Sequence, residues 1–149
     1  MKSEPDVYSI QDLQAEKSKT CDWEGVRNYQ ARNFMKDMQK GDQVLFYHSN
    51  AKPPGIVGYC TINKTAYPDE TSLDKKSNYF DSKSTKEINR WVKVDLKLKK
   101  VFSEILSLDF LRGQKTLKDM LLLKKGSRLS VQPVKKTEFD KILKLAGVK

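Results

Sequence analysis

A single histidine followed by a serine is the first arrangement in this 149-residue chain that could do covalent chemistry. His48 and Ser49 come at the end of a short apolar run, so a serine–histidine pair is conceivable. Neighbouring residues of an extended segment point to opposite faces, however, and no G-x-S-x-G sequence presents a serine nucleophile. Every histidine-dependent mechanism in this chain needs His48. Because Ser49 is expected to point away from His48, the sequence disfavours a hydrolase.

Acidic residues offer a second route to catalysis, but their spacing does not favour it. Pro-Asp at 68–69 followed by Asp-Lys-Lys at 74–76 resembles a shortened metal-dependent nuclease motif. That interval is too short to place the acid and the lysine on neighbouring strands. Glu4 and Asp6 flank a proline, where carboxylates more commonly bind the backbone. The chain also has no P-loop and no G-x-G-x-x-G sequence, so no nucleotide cofactor is indicated. We predict a protein without catalytic residues.

Aromatic and polar side chains favour a binding role. Six large aromatic residues fall mostly at the ends of predicted elements or in one long loop: Trp23, Tyr29, Tyr47, Tyr79, Phe80 and Trp91. Amide and hydroxyl groups occur at Ser3, Asn28, Gln30, Ser49 and Asn50. Stacking on an aromatic ring is worth about 1–3 kcal/mol per base, and amides and hydroxyls can read the edge of that base. The pattern therefore indicates a pocket for one base, although Trp and Tyr in such positions also serve as core with a bonded polar tip.

The charge distribution indicates a polyanionic partner. The chain has 29 Lys+Arg against 19 Asp+Glu, a formal net charge of +10. Residues 1–74 hold 9 basic and 11 acidic residues, and residues 75–149 hold 20 and 8. Such asymmetry favours nucleic acid, although a generally lysine-rich composition is the alternative. Because charge gives affinity without sequence information, specificity has to come from other residues.

Length and composition describe one intracellular domain. A chain of 149 residues fits a single domain over residues 1–149, and 38% hydrophobic residues suffice for a core. Two cysteines and one histidine are fewer than the four ligands of a structural zinc site. No apolar stretch is long enough to cross a membrane, and the polar first residues do not resemble a signal peptide. We expect a cytoplasmic monomer without metal, cofactor or membrane partner.

Two helices are predicted in the first third of the chain. Ser9, with Asp12 three residues later, is typical of a helix N-terminus. Asn28 is predicted to cap a second helix through Met38, in which apolar residues recur at helical spacing.

Strands are predicted in the centre. The run at 44–47 and the run at 56–65 are separated by a Pro-Pro-Gly turn, which indicates a wide hairpin. Residues 67–89 follow neither period, and a loop of that length is usually functional. From Val92 to Lys99 apolar residues alternate with charged ones, which predicts a half-buried strand with a basic outer face.

The C-terminal third mixes both element types. We predict short helices at 107–112 and 117–123, a strand at 129–132, and a last helix that begins with a capping box at Thr137 and Asp140. Strands in the centre and helices around them favour an α+β domain, a strongly bent sheet or open barrel flanked by short helices.

Seven segments of the chain, in order, resemble the EVE domain family. They are MKSEP at 1–5, WEGVRNYQARNF at 23–34, GDQVLFYHSN at 41–50, PPGIVG at 53–58, AYPD at 66–69, RWVKVD at 90–95 and GSRLSVQPV at 126–134. They cover essentially the whole chain, which looks like a bacterial, stand-alone member. The resemblance implies a PUA-like fold. EVE domains are similar to YTH domains, which hold a methylated adenine in an aromatic cage, and the family is associated with modified cytosines such as 5-methylcytosine and 5-hydroxymethylcytosine in DNA.

The resemblance also implies residue roles. The implied base pocket consists of Ser3, Trp23, Arg27, Asn28, Tyr29, Ser49, Asn50 and Trp91. The implied contacts to the nucleic-acid backbone are Lys2, Arg90, Arg128 and Gln132. Rings would wall or stack on the base, and amides and hydroxyls would bond its edge. Arg27 stands where the YTH-like cage has an aromatic residue, so phosphate binding or stacking is implied for it. A structural role for each of these residues stays open.

These expectations combine into a non-catalytic module that captures one modified base. A modified cytosine in DNA is favoured, extruded from a duplex or taken from a single strand. A 5-methyl group adds only about 0.8 kcal/mol of burial, so discrimination against cytosine should be modest. The alternatives are a reader of modified RNA and, less favoured, an enzyme acting on modified bases through His48 and Asp81.

Overall fold

Five strands form one sheet at the centre of the computed structural model, which describes residues 1–126 and 128–148. In chain order they are β1 (Lys2–Ser3), β2 (Thr20–Trp23), β3 (Gln43–His48), β4 (Gly55–Pro68) and β5 (Val92–Ser107). The order across the sheet is β1-β3-β4-β5-β2, with β1 parallel to β3 and all other neighbours antiparallel. Four register shifts interrupt the long pairing of β4 with β5, and shifts of this kind bend strands. The predicted open, bent sheet is confirmed.

Four α-helices of the described residues flank the sheet, and the first two begin at local signals in the sequence. They are α1 (Ile10–Ala15), α2 (Tyr29–Lys36), α3 (Leu108–Arg112) and α4 (Lys136–Leu145). The Ser9 hydroxyl accepts a hydrogen bond from the Asp12 N–H at 3.1 Å, and the Asp12 carboxylate accepts one from the Ser9 N–H at 2.8 Å. The Asn28 side-chain oxygen accepts one from the Ala31 N–H at 3.0 Å, so both predicted caps are confirmed. No helix within the described ranges is long and apolar enough to cross a membrane.

Within the part of the chain that the structure describes, two hydrophobic clusters pack against the sheet, and alternate residues of β3 contribute to each. Phe46 belongs to the first cluster, together with Trp23 and the buried residues of α1 and α2. Leu45 and Tyr47 belong to the second cluster, together with buried residues of α3 and α4. This alternation follows from the two-residue period of a strand. It places Trp23 where the first cluster meets the loop after β2.

The strand predicted at residues 129–132 is absent, and that prediction is wrong. One backbone hydrogen bond, from the Lys2 N–H to the Ser130 oxygen at 2.8 Å, joins this segment to β1. Because β1 has only two residues and a proline follows at 133, little backbone is available for a ladder. The strand predicted from Val92 to Lys99 is present and continues to Ser107 as β5.

Two helix predictions also need correction. Residues 117–123 form two 3₁₀ turns, Lys115–Leu117 and Leu121–Leu123, rather than one α-helix. The buried side chains there, Leu117 and Met120, are three residues apart, which matches the 3₁₀ repeat. The last helix begins before Thr137, because the buried Glu138 carboxylate accepts a hydrogen bond from the Lys135 N–H at 2.9 Å.

Candidate nucleic-acid interface

A cleft of about 790 Å³ opens between the first residues of the chain and the loop that follows β2. Three of the predicted base-pocket residues line it: Ser3, Trp23 and Arg27. Lys2, a predicted backbone contact, lines it as well. Pockets for small organic ligands commonly measure about 300–1,000 Å³, so the cleft is large enough for one nucleotide base.

Tyr79 forms a wall of this cleft, and only a glycine opposite permits its position. Gly25 has φ +82, and a Cβ atom placed there would lie 2.7 Å from the Tyr79 ring. A residue with a side chain would therefore have to move the ring as well as adopt a left-handed backbone. The sequence showed Tyr79 as an aromatic residue of the long loop but gave no means of pairing it with a residue 54 positions earlier.

Arg27 joins the loop after β2 to the long loop between β4 and β5. Its Nη1 donates to the Asp69 carboxylate at 3.0 Å, its Nε to the Tyr79 carbonyl oxygen at 2.8 Å, and its Nη2 to the Thr71 hydroxyl at 3.1 Å. Asp69 is fully buried. Burial raises the pKa of Asp69, but hydrogen bonds from Thr71, Gly25 and Arg27 outweigh it and hold the pKa below its usual value. The guanidinium is thus fixed by intramolecular bonds at the edge of the cleft.

Tyr29 and Trp91 form a second aromatic feature, which we call the Tyr29–Trp91 stack. Their ring centroids are 4.9 Å apart with planes inclined by 23°. The Trp91 indole N–H donates to the Asp81 carboxylate at 2.7 Å, and Arg90 binds both Asp81, at 3.0 Å, and the Tyr29 hydroxyl, at 2.6 Å. Burial raises the pKa of Asp81. Hydrogen bonds from the Lys83 backbone, Trp91 and Ser84, together with the charge of Arg90, outweigh burial and hold the pKa below its usual value. The stack does not line the cleft.

Three of the residues predicted to bond the base edge, Asn28, Ser49 and Asn50, lie outside the cleft lining. The Asn28 side-chain oxygen is occupied by the cap of α2. Asn50 has φ +49 in the turn after β3, and its amide lies 3.4 Å from the Glu4 carboxylate. The Ser49 N–H donates to the Ser3 carbonyl oxygen at 2.9 Å. The structure therefore gathers Ser3 but not these three residues at the cleft.

The predicted contacts to the nucleic-acid backbone occupy different environments. Lys2 lies 5.9 Å from the Tyr47 ring, and burial lowers its pKa. Arg90 is held by Asp81, whereas Arg128 is exposed. The Gln132 amide donates to the Leu129 carbonyl oxygen at 3.1 Å.

Carboxylates dominate the charged lining of the cleft, a feature not predicted from the sequence. Among the described residues, the acidic side chains that line it are Glu4, Glu16, Asp22, Glu24 and Asp95, against the basic Lys2 and Arg27. Burial, followed by the nearby charges of Asp22 and Asp69, raises the pKa of Glu24. The slight acidic excess of residues 1–74 was the available signal.

Lys93 departs from the basic outer face predicted for β5, on which Lys97 and Lys99 are exposed as expected. Lys93 is 4% exposed, and its ammonium donates to Asp22 at 2.8 Å and to Glu70 at 2.7 Å. Burial lowers the pKa of Lys93, but the hydrogen bonds to both carboxylates raise it above its usual value. The two acidic partners on neighbouring segments, rather than the alternation along β5, decide its burial.

His48 has a structural partner. Its Nε2 accepts a hydrogen bond from the Ile10 N–H at the start of α1, at 3.1 Å, and its ring meets Phe46 edge-on. The side chain is buried, and burial lowers its pKa. Its acceptor atom is thus engaged by α1, while Asp81 is bonded to Arg90 and Trp91.

Comparisons with known proteins identify the family. The EVE domain family model matches residues 1–145. Thymocyte nuclear protein 1 of chicken is 42% identical over 162 residues, covering 97% of this chain and 66% of that protein, so the chain spans about two thirds of its length. A crystal structure of a Pseudomonas syringae protein is 49% identical with a TM-score of 0.93, covering 98% of this chain and 97% of that one. Human THYN1, crystallised in complex with 5-methylcytosine-containing DNA, is 38% identical with a TM-score of 0.93, covering 100% and 96%. The chain belongs to the EVE domain family.

Proposed function

We propose that this EVE domain is a non-catalytic nucleic-acid-binding module that captures one modified cytosine of DNA in the cleft beside Trp23 and Tyr79. The observation that carries the proposal is the cleft itself, which combines ring surface, carboxylates and a volume of about 790 Å³. The TM-score of 0.93 to human THYN1, which was crystallised with 5-methylcytosine-containing DNA, supports the choice of ligand.

The carboxylates of the cleft favour a base that presents an amino group. Asp22 and Glu24 flank Trp23, the last residue of β2, and both line the cleft. A carboxylate accepts a hydrogen bond from the exocyclic N4 amine of cytosine. Thymine has a carbonyl oxygen at the same position, which a carboxylate would repel. We therefore assign the discrimination between cytosine and thymine to this acidic side of the cleft.

The methyl group supplies a smaller part of the specificity. Burial of one methyl-sized group contributes about 0.8 kcal/mol, which corresponds to roughly a fourfold preference for 5-methylcytosine over cytosine. Stacking on the cleft rings, at about 1–3 kcal/mol per base, is shared by both bases. Affinity thus comes mainly from stacking and charge, and the preference for the modified base comes from the methyl contact.

Phosphate groups need a separate surface because the cleft is acidic. Exposed lysines of β5, Lys97, Lys99 and Lys100, belong to the strongly basic second half of the chain. Binding of phosphates by lysines releases counterions, so the logarithm of the affinity should fall by about 0.7–0.9 per phosphate contact for each tenfold rise in salt. This surface contributes affinity without reading the base.

Fluorescence anisotropy at near-physiological salt tests the proposal. The oligonucleotides differ at one position, which carries cytosine, 5-methylcytosine, 5-hydroxymethylcytosine or thymine, in single strands, duplexes and matching RNA. We expect a modified cytosine to bind more tightly than cytosine, and thymine to bind weakest. Equal affinity for all four bases, or tighter binding of RNA than of DNA, would overturn the proposal.

A substitution in the cleft separates base reading from general charge. Glu24→Gln should reduce the ratio of cytosine to thymine affinity, because the amide can also donate to the thymine carbonyl. The matched control is Glu87→Gln, which removes the same charge from an exposed loop position outside the cleft lining. An equal change of that ratio in both variants would contradict the role of Glu24.

A further inference from the structure

The outer face of the Tyr29 ring is open to solvent, although the opposite face is covered. Tyr29 begins α2 and is 49% exposed, whereas Trp91 beneath it is 5% exposed. The two rings are nearly parallel at 4.9 Å, so Trp91 covers one face of Tyr29. A large aromatic ring held in this way presents a flat apolar surface to solvent.

The neighbouring arginines lie beside the stack and do not cover its outer face. The Arg32 guanidinium carbon is 4.8 Å from the Tyr29 centroid and 5.9 Å from the Trp91 centroid. A group on the outer face of Tyr29 would be much farther from Trp91 than from Tyr29, so Arg32 flanks both rings. Arg90 contacts the hydroxyl end of Tyr29, with Nη1 at 2.6 Å from the oxygen.

Hydrogen bonds fix the ring before any ligand arrives. The Tyr29 hydroxyl is bonded to Arg90, Arg90 to Asp81, and Asp81 to the Trp91 indole N–H. A surface that is already ordered loses little conformational entropy when a ligand stacks on it.

Arg32 gives this surface a net positive charge. Its guanidinium donates to the Asn33 side chain at 2.8 Å and to the Arg90 carbonyl oxygen at 3.0 Å, both neutral acceptors. By contrast, Arg27 and Arg90 each pair with a carboxylate. Within the described ranges Arg32 has no carboxylate partner, so its charge is available to a phosphate.

The stack lies close enough to the cleft to serve the same nucleic-acid strand. Arg27 lines the cleft, and its guanidinium carbon is 5.5 Å from the Trp91 centroid. Trp91 is in turn 4.9 Å from Tyr29. These two distances place Tyr29 within about three base steps of 3.4 Å from Arg27.

We propose that the outer face of Tyr29 binds an unpaired base flanking the captured base on the same strand, with Arg32 at the adjoining phosphate. This inference rests on the proposed function. An aromatic surface accepts any base, so the site extends the contact with unpaired nucleic acid without adding sequence preference. Under this proposal Tyr29 and Trp91 contact a neighbouring base and are not part of the wall around the captured base.

The test compares Tyr29→Ala with Tyr29→Phe on two single-stranded oligonucleotides. One carries 5-methylcytosine between normal nucleotides, and the other carries it between runs of three abasic sites, which remove every base within the distance estimated above. Tyr29→Ala should weaken binding of the first by about 5- to 150-fold and leave binding of the second nearly unchanged. Tyr29→Phe keeps the ring and its stacking on Trp91 but loses the bond to Arg90, so it should weaken binding of the first oligonucleotide much less than Tyr29→Ala does. Phe110→Ala, at a 45% exposed ring on α3, is the matched control and should bind as the parent does.

The outcomes separate the two proposals. If the parent protein prefers 5-methylcytosine to cytosine but Tyr29→Ala weakens both oligonucleotides equally, or neither, the stacking site is refuted and the base cleft stands. If the parent protein shows no preference between the modified and unmodified base, the proposed function fails, whatever Tyr29→Ala does. Circular dichroism of each variant confirms that the fold is intact.

Discussion

Replacement of Asp69 by asparagine should destabilise the fold and loosen the cleft together. The two carboxylate oxygens accept hydrogen bonds from the Gly25 N–H at 2.9 Å, from Arg27 at 3.0 Å, and from the N–H and hydroxyl of Thr71 at 3.0 and 2.5 Å. Asparagine has the same shape, but its amide nitrogen would face a donor instead of accepting a bond. The arginine would also lose its countercharge.

The size of the effect follows from the burial of the pair. Breaking a fully buried ion pair destabilises a protein by about 3–5 kcal/mol. The Arg27 side chain retains 22% exposure beside a fully buried Asp69, so we expect a smaller loss, about 2–4 kcal/mol. For a domain of this length that corresponds to a decrease in Tm of about 5–15 °C.

Urea denaturation followed by tryptophan fluorescence measures the loss. Because the pKa of Asp69 is lowered by folding, its stabilisation is present above the unfolded-state value near 4 and is lost as the pH falls. The difference between the parent and Asp69→Asn should therefore shrink on acidification below about pH 5. Asp140→Asn, in an exposed pair with Lys136, is the control and should change stability by under about 0.5 kcal/mol. If Asp69→Asn lowered the free energy of unfolding no more than Asp140→Asn does, the reasoning would be refuted.

Three further predictions concern the cleft and its supports. Gly25→Ala should lower the Tm more than Gly41→Ala, because both glycines have positive φ but only Gly25 faces the Tyr79 ring; equal thermal shifts would contradict this. Lys93→Met should lower the unfolding free energy by about 1 kcal/mol in urea, because two carboxylates lose their shared cation; an unchanged midpoint would show that the pairing contributes nothing. Burial lowers the pKa of His48, so stability should fall as the pH drops below its unfolded-state value of about 6.5. His48→Gln, whose amide oxygen can accept the bond from α1, should reduce that decline between pH 7.5 and 5.5, and an identical decline in both proteins would count against it.

Local signals in the sequence predicted the elements that depend on a few adjacent residues. The caps at Ser9 and Asn28 were predictable because each bond closes within three residues. The pairing of β3 with β4 was predictable because a turn connects the two runs. The strand predicted at 129–132 is absent because its neighbour, β1, has two residues. Nothing near residues 129–132 in the sequence indicates how long that distant strand is.

The cleft was less predictable because its walls meet across long sequence separations. Arg27 binds Asp69 at a separation of 42 residues, and nothing local indicates that pairing. Tyr29 and Trp91 were both predicted as pocket residues, and the structure brings them together in a stack beside the cleft. The alternation along β5 predicts an exposed Lys93. The side chain is buried instead, and its ammonium binds the carboxylates of Asp22 and Glu70, which are distant in sequence.

The most direct test of base capture is a ¹⁵N NMR titration with two short single-stranded DNAs that differ by one 5-methyl group on cytosine. If the cleft captures the base, the Gly25 and Arg27 amides and the Trp23 indole signal should shift, and the methylated strand should saturate them at a lower concentration. Shifts confined to the exposed lysines of β5 and identical for both strands would contradict base capture in the cleft.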